Sequence, residues 1–337
     1  MRNIYDLTIK ELEDYFISIN EKKFRAVQVY EALYKRRIKS FDDMTNISKE
    51  VREKLKQDFS FYKIKMLIKQ QGKNVNKYLF ELEDGNKIES VLMFHDYGTS
   101  ICVSSQVGCN MTCAFCESGR LKKVRNLLAY EIVQQILQIE EDINKRITHV
   151  VLMGIGEPFD NYDNVLRFVK IINCGKGIDI GSRHITISTC GVIPGIKKFM
   201  NEEGQVNLAI SLHAPNDTLR SRIMPINKAY PLNELMETIK EYINKTNRRV
   251  TFEYIMLDNV NDSEENAKEL ALLLKGINCY VNLITYNETE NIEFKRTKEW
   301  KIMKFYDILK KNKINVTIRK EFGGSVDAAC GQLRANN

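Results

Sequence analysis

The stretch Cys109-Asn-Met-Thr-Cys113-Ala-Phe-Cys116 sets three thiols in the spacing C-x3-C-x2-C. It lies just past the β-rich, apolar segment Ile101–Ser105, which reads as a strand. From that strand onward the chain alternates between two patterns. Further candidate strands are His149–Met153, His184–Ser188, Val206–Ser211, Val250–Leu257 and Cys279–Thr285, with a late extra at Asn315–Arg319. Between them the apolar spacing turns helical at Leu128–Ile143, Asn164–Ile172, Leu232–Ile243, Glu264–Leu274 and Thr297–Lys311. The shorter link from His184 to Val206 carries Pro194 near a helix start. Repeated βα units specify an α/β fold with a parallel sheet, open or closed into a barrel. Six units are fewer than the eight of a complete (βα)8 barrel, so a partial (βα)6 barrel is predicted. In such folds the loops at the carboxyl ends of strands hold the chemistry, and the thiols lie in the first of them.

Upstream the pattern differs. Residues 1–62 read as amphipathic helices, with Leu12, Tyr15 and Phe16 on one face and Val29, Tyr30, Leu33 and Tyr34 on another. They form a small N-terminal helical accessory domain. Residues 63–100 alternate in strand fashion, and Asp84-Gly85 between two such runs marks a β-hairpin extension. The expected organisation is therefore helices over 1–62, hairpin over 63–100, barrel over 101–320 and a C-terminal segment over 321–337.

A structural zinc site wants four ligands, and Cys109, Cys113 and Cys116 supply three. Thiolates also hold iron–sulfur clusters, and three of them leave one iron open to a substrate or cofactor. The residues alone leave both readings standing. A second motif, Met153-Gly-Ile-Gly156-Glu157-Pro158, follows the second strand of the series. Glycines there let backbone approach a ligand closely, and the carboxylate can accept from an ammonium group.

At this point the chain resembles the RlmN/Cfr family of radical S-adenosylmethionine RNA adenine methyltransferases. The resemblance is carried by the cysteine and Gly-x-Gly-Glu motifs and by Cys102-Val-Ser-Ser-Gln-Val-Gly-Cys109. It extends through His184-Ile-Thr-Ile-Ser-Thr-Cys-Gly, Leu208-Ala-Ile-Ser-Leu-His-Ala-Pro-Asn-Asp and Ile223-Met-Pro-Ile-Asn. It ends at Asp327-Ala-Ala-Cys330-Gly-Gln-Leu. It implies a radical-SAM barrel in which Cys109, Cys113 and Cys116 ligate a [4Fe–4S] cluster. It also implies that S-adenosylmethionine, two molecules per turnover, is bound by Gly156, Glu157, Ser188, Ser211, Leu212, His213 and Asn287. Adenine C2 and C8 are poor nucleophiles, so the family first parks the methyl group on a protein thiol. The resemblance gives that role to Cys330, makes Cys102 the resolving thiol that forms a transient disulfide with it, and makes Glu89 the proton acceptor. The implied substrate is an adenosine of 23S rRNA, with a tRNA adenosine in some members, and the implied electron donor is flavodoxin-like. Gly-Glu followed by Pro158-Phe159, and Leu-His-Ala-Pro, are nearer the C2-methylating branch than the C8-methylating, antibiotic-resistance branch. A zinc-stabilised RNA-binding protein without catalysis is the alternative from another class; it leaves Glu157 and Cys330 without a role.

Bulk properties agree. The 337 residues carry a formal charge of +7, and basic runs stand near Lys22–Lys39, at Gly119–Asn126 and over Lys295–Lys320, suited to a polyanion such as RNA. Each run taken singly also reads as a solvated face. No apolar run reaches the ~18 residues that span a bilayer, and no signal-peptide pattern is present. A cytoplasmic monomer with no membrane partner is expected, its 8 cysteines reduced or engaged in chemistry. Cys174, Cys190 and Cys279 read as small buried apolar residues.

Overall fold

The computed structural model describes residues 1–289 and 291–319. Three helices come first: α1 (Ile9–Ser18), α2 (Phe24–Tyr34) and α3 (Lys49–Asp58). Thr8 caps α1 in a reciprocal box with Glu11, satisfying two backbone donors, while Leu12 and Phe16, one turn apart, are fully buried. Arg2–Asn3 and Phe59–Ser60 pair in parallel and close this unit on itself.

Ten strands then form a single sheet in strict chain order. They are β1 (Lys65–Gln71), β2 (Val75–Glu81), β3 (Lys87–His95), β4 (Gly98–Cys102) and β5 (His149–Leu152). The rest are β6 (Ile185–Thr189), β7 (Asn207–Ser211), β8 (Val250–Met256), β9 (Cys279–Thr285) and β10 (Val316–Ile318). β1 to β4 run antiparallel as a meander. β4 to β10 are parallel. Helical crossovers join them: α4 (Ala129–Ile143), α5 (Tyr162–Asn173), α6 (Ile193–Phe199), α7 (Asp217–Ile223) with α8 (Leu232–Thr246), α9 (Glu264–Leu273) and α10 (Glu299–Lys311). These are the six βα units the sequence predicts, with the late extra strand β10 as a seventh parallel member. The two ends of the sheet, β1 and β10, do not meet among the described residues, so the barrel is partial.

Three expectations sharpen. The segment predicted as a hairpin extension is continuous with the barrel sheet, because β3 pairs with β4 over Val91–Cys102 to His95–Gly98. The N-terminal helices share one apolar core with the barrel: Leu12, Tyr30 and Leu33 belong to the same buried cluster as Ile101, Ile187 and Val281. The first parallel strand also ends at Cys102 instead of Ser105, since past that point the chain loses its antiparallel partner while still donating from Val103 N to Val151 O at 3.0 Å. Much of the basic charge is paired internally: Lys23 with Glu13, Arg37 with Glu140, Lys123 with Asp160, and Lys301 with Asp258 and Asp262.

One ion cluster ties meander, loop and helix together. Arg125 donates to both oxygens of Glu131 at 2.8 Å and to Asp84, in the β2–β3 turn, at 2.6 Å. Glu131, in the first turn of α4, also accepts from Leu128 N and is almost fully buried. Removing its cation strands a buried carboxylate. Arg125→Leu is therefore expected to destabilise the protein by about 3 kcal/mol in chemical denaturation. Restoring most of that stability with Glu131→Gln in the Arg125→Leu background is the accompanying check.

Candidate active site

The cysteine loop leaves β4 and returns to α4 as a closed excursion. At its base Gln106–Val107 pair antiparallel with Arg125–Asn126. Higher up, Cys109 N donates to Leu121 O at 3.0 Å and Cys116 N to Cys113 O at 3.1 Å. Ala114 N donates to Ile223 O at 2.9 Å, which pins the loop to the end of α7. Gly108, just before the first cysteine, has φ +72°, and a Cβ there would lie 2.2 Å from Lys122 O. Only glycine lets the two arms of the loop cross so closely.

The Gly-x-Gly-Glu turn at the end of β5 is locked to that base. Gln106, fully buried, accepts from Glu157 N at 2.9 Å. Its amide donates to Asn126 at 2.8 Å and Asp160 at 2.9 Å. Gly156 has φ +110°, and a Cβ would sit 2.6 Å from Gln106 Cβ. Glu157 then turns inward: Phe159 N donates to Oε1 at 3.0 Å and Cys190 N to Oε2 at 2.8 Å. Burial pushes this carboxyl up from its ordinary range, and the two backbone donors hold it down in part. A ligand ammonium would offset that desolvation.

Cys109, Cys113, Cys116, Gly156, Glu157, Ser188, Ser211 and His213 line one cavity at the carboxyl ends of β5 to β9. It is partly open to solvent and is lined by both apolar side chains and these polar groups. His213 has φ +57° and its Nδ1 accepts from Ile255 N at 3.0 Å, so the neutral ring carries its proton on Nε2. Phe115, between two of the cysteines, packs edge-on against it with centroids 4.9 Å apart. Leu212 contributes no side chain to this wall: it is buried in the main core, and its carbonyl accepts from Arg220 at 3.2 Å. Asn287 lies just past β9, outside the cavity wall as described. Cys102 and Glu89 lie beyond the cavity, on the sheet's continuation through β4 and β3. Cys330 falls outside the described residues.

Several members of the site escaped the sequence reading. Cys190, read as a packing residue, lines the cavity and supplies a backbone donor to Glu157. Glu253 and Arg319 face the cavity from β8 and from the end of β10, 3.8 Å apart, and Asn282 donates to Glu253 at 2.9 Å. A lone acid inside the otherwise apolar run of β8 was the signal for it. Arg220 of α7 is fully buried and donates to Cys190 O at 2.6 Å, Leu212 O at 3.2 Å and Ser211 O at 3.3 Å, bracing the ends of β6 and β7.

The donor set suits a thiolate-held cluster. Three soft sulfur ligands and no competing imidazole ligand stand on one loop, whose return arm packs so tightly that a Cβ on Gly119 would lie 2.9 Å from Cys113 N. Burial pushes the Cys109 thiol up to about 12 and Cys113 well above its ordinary value, so metal must displace protons to bind. Among the described residues, no three His, Cys, Asp or Glu side chains gather around a single ion.

A sheet of this order with three loop thiols facing a glycine-flanked carboxylate defines a radical S-adenosylmethionine enzyme, and the family model for the Radical SAM superfamily matches residues 103–271. The model for the ribosomal RNA large subunit methyltransferase N-terminal domain matches residues 2–60. A relative from Spiroplasma citri, named a probable dual-specificity RNA methyltransferase RlmN, is 53% identical over 100% of this chain and 98% of its own. One of the same name from Streptococcus thermophilus is 54% identical over 99% of this chain and 88% of its own. The crystal structure of a radical SAM methyltransferase from Sphaerobacter thermophilus superposes with a TM-score of 0.94 at 41% identity, covering both chains fully. The chain belongs to the RlmN family of radical S-adenosylmethionine RNA methyltransferases. It is an enzyme acting on RNA, and its cofactors are a [4Fe–4S] cluster and S-adenosylmethionine. The zinc-stabilised binding module is thereby set aside. No helix among the described residues is long and apolar enough to cross a membrane.

Two outcomes check this geometry. Replacing Glu157 by Gln removes the charge opposite a ligand amine while keeping a hydrogen-bonding group. S-adenosylmethionine affinity in equilibrium dialysis is expected to fall about tenfold or more. Separately, burial and then the nearby Arg220 push His213 down to about 3, against an ordinary 6.5. The unfolded chain therefore binds more protons between those values. The stability of the neutral ring is complete above 6.5 and is lost as pH falls towards 3. By about pH 5 the loss is ~2 kcal/mol. His213→Asn, which tolerates the positive φ and can still accept from Ile255 N, is expected to lose less stability than the native chain between neutral pH and that point in urea denaturation.

Proposed function

We propose that this enzyme methylates C2 of an adenosine in 23S rRNA and of a tRNA adenosine through an S-methylcysteine on Cys330. The observation that carries this reading is the convergence of Cys109, Cys113, Cys116 and Glu157 on one cavity, in a chain whose full-length relatives are named dual-specificity RNA methyltransferases. Pro158-Phe159 after Gly-Glu, and Ala214 in Leu-His-Ala-Pro, favour C2 over C8.

Cys109, Cys113 and Cys116 hold the cluster, which when bound supplies the electron that converts S-adenosylmethionine into a hydrogen-abstracting radical. Glu157 receives the cofactor's ammonium, and Ser188, Ser211 and His213 present hydroxyl and N–H groups to the rest of it. The Leu212 and Asn287 assignments extend this set through backbone and loop. The Cys330 thiolate attacks the sulfonium methyl of a first cofactor: a C–S bond forms on the protein as the old one breaks, and S-adenosylhomocysteine leaves. Once that carbon is joined to the ring and the adduct has given back its one unpaired electron, Glu89 takes the C2 proton, and the electron pair of the broken C–H bond stays in the adenine ring. The Cys102 thiolate then attacks the Cys330 sulfur. An S–S bond forms as the S–CH2 bond breaks, and the methylene carbon keeps that electron pair and takes a proton to become the methyl group. Oxidation of two thiols balances reduction of the methylene, and an external dithiol resets the pair. The pairing of Cys102 with Val91, two residues from Glu89 on the same strand, supports that role. A flavodoxin-like donor, for which a chain of charge +7 is a suitable partner, and a monomeric state complete the proposal.

Mass spectrometry of rRNA and tRNA from cells with and without the gene tests it. The expected result is 2-methyladenosine in both RNAs, lost on deletion; 8-methyladenosine in its place would reassign the regiochemistry.

A further inference from the structure

We infer that Lys77 is the positioning residue of the proton-transfer step; the inference rests on the reading that Glu89 takes the C2 proton. Lys77 lies on β2 and Glu89 on β3, and Lys77 Nζ stands 2.8 Å from Glu89 Oε1. Both side chains are withdrawn from water, at 13% and 3% exposure. The register explains how they meet. Lys77 pairs with Val91, and Val91 pairs in turn with Cys102 on β4, so the three form one row across the sheet. Glu89 is two residues from Val91 on the same strand and therefore on the same face. Val75, Val91, Met93 and Ile155 make that face apolar, with Cys102 packed against it.

A charged pair in such surroundings is a poor choice for stability alone. Two ions lose their hydration and a four-carbon stem loses its rotamers, where apolar residues of similar volume would pack at no such cost. What the pair provides is geometry. The terminal torsion of glutamate is broad, so an unanchored carboxylate turns freely. A base acts only when its oxygen lies within hydrogen-bond reach of the proton it removes. With Oε1 held by the ammonium, the plane of the carboxylate is fixed relative to Cys102, the neighbouring thiol proposed to release the same adduct. When Glu89 takes the proton, the C2–H bond breaks, its electron pair stays in the ring, and the carboxylate becomes a carboxylic acid beside an unchanged ammonium.

The test uses the reconstituted holoenzyme and an rRNA fragment carrying either ordinary or C2-deuterated adenosine. Glu89→Gln is expected to lose on the order of 10²-fold or more in product formation. Lys77→Met is expected to lose about tenfold or more and to show a larger deuterium effect than the native enzyme, because proton removal becomes the slow step. Methylation of Cys330 should be unchanged in both. Lys77→Arg, which keeps the charge, should show a smaller rise in the deuterium effect than Lys77→Met, and Lys77→Met with Glu89→Gln should be no slower than Glu89→Gln alone. Normal turnover by Glu89→Gln would remove the base assignment itself. A stalled Glu89→Gln beside a Lys77→Met enzyme with native rate or native deuterium effect, or losses that simply add, would overturn the role of Lys77 alone. Should Lys77→Met not fold, Lys77→Gln, which removes the charge but keeps a polar group, takes its place, and a native deuterium effect there overturns it equally.

Discussion

The site depends on one buried side chain that joins two loops. Gln106 takes the backbone N–H of Glu157 on its carbonyl and gives its amide to Asn126 and Asp160. Its carbonyl thus holds the turn that aims the carboxylate, and its amide holds the arm that closes the cysteine loop. Both loops carry backbone donors that must be satisfied away from water. The close approaches at Gly108 and Gly156 follow from this lock, because the chains it brings together leave no room for a Cβ.

The sheet supplies the frame. Parallel strands in chain order put every βα loop at one edge, so thiols from the first loop, a carboxylate from the second and hydroxyls from the third and fourth meet without long excursions. Arg220 strengthens that edge by donating to three strand-end carbonyls from within the core. A cation held by dipoles alone is costly to bury, and its presence beside buried sulfur and carboxylate groups offsets the negative charge that a thiolate-bound cluster concentrates there.

The βα alternation was legible because parallel strands covered on both sides are nearly continuous apolar runs, and the helices between them keep a 3.6-residue period. Cys109, Cys113, Cys116 and Glu157 were legible because their spacing is local. Lys77, Glu253 and Arg220 were not, since each acts through a residue distant in the chain and only strand register or a crossover brings the two together. Cys190 was misjudged for a related reason: its contribution is a backbone N–H, on which side-chain identity is silent. Leu212 stands in its motif through backbone alone, since its side chain is buried in the main core. The meander was taken for an appendage because a hairpin signal tells where a turn is but not which strand its far edge joins.

The central claim is that the three loop thiols and Glu157 serve one centre, the thiols as the residues that would hold the cluster and Glu157 as the residue that would receive the cofactor's ammonium. Electron paramagnetic resonance of the reduced, anaerobically purified protein, with iron counted on the same sample, examines this most directly. The account predicts roughly four irons per chain and a cluster signal that changes when S-adenosylmethionine is added, with the change much weakened in Glu157→Gln. Stoichiometric zinc in place of iron, or a cluster signal indifferent to the cofactor, would contradict it.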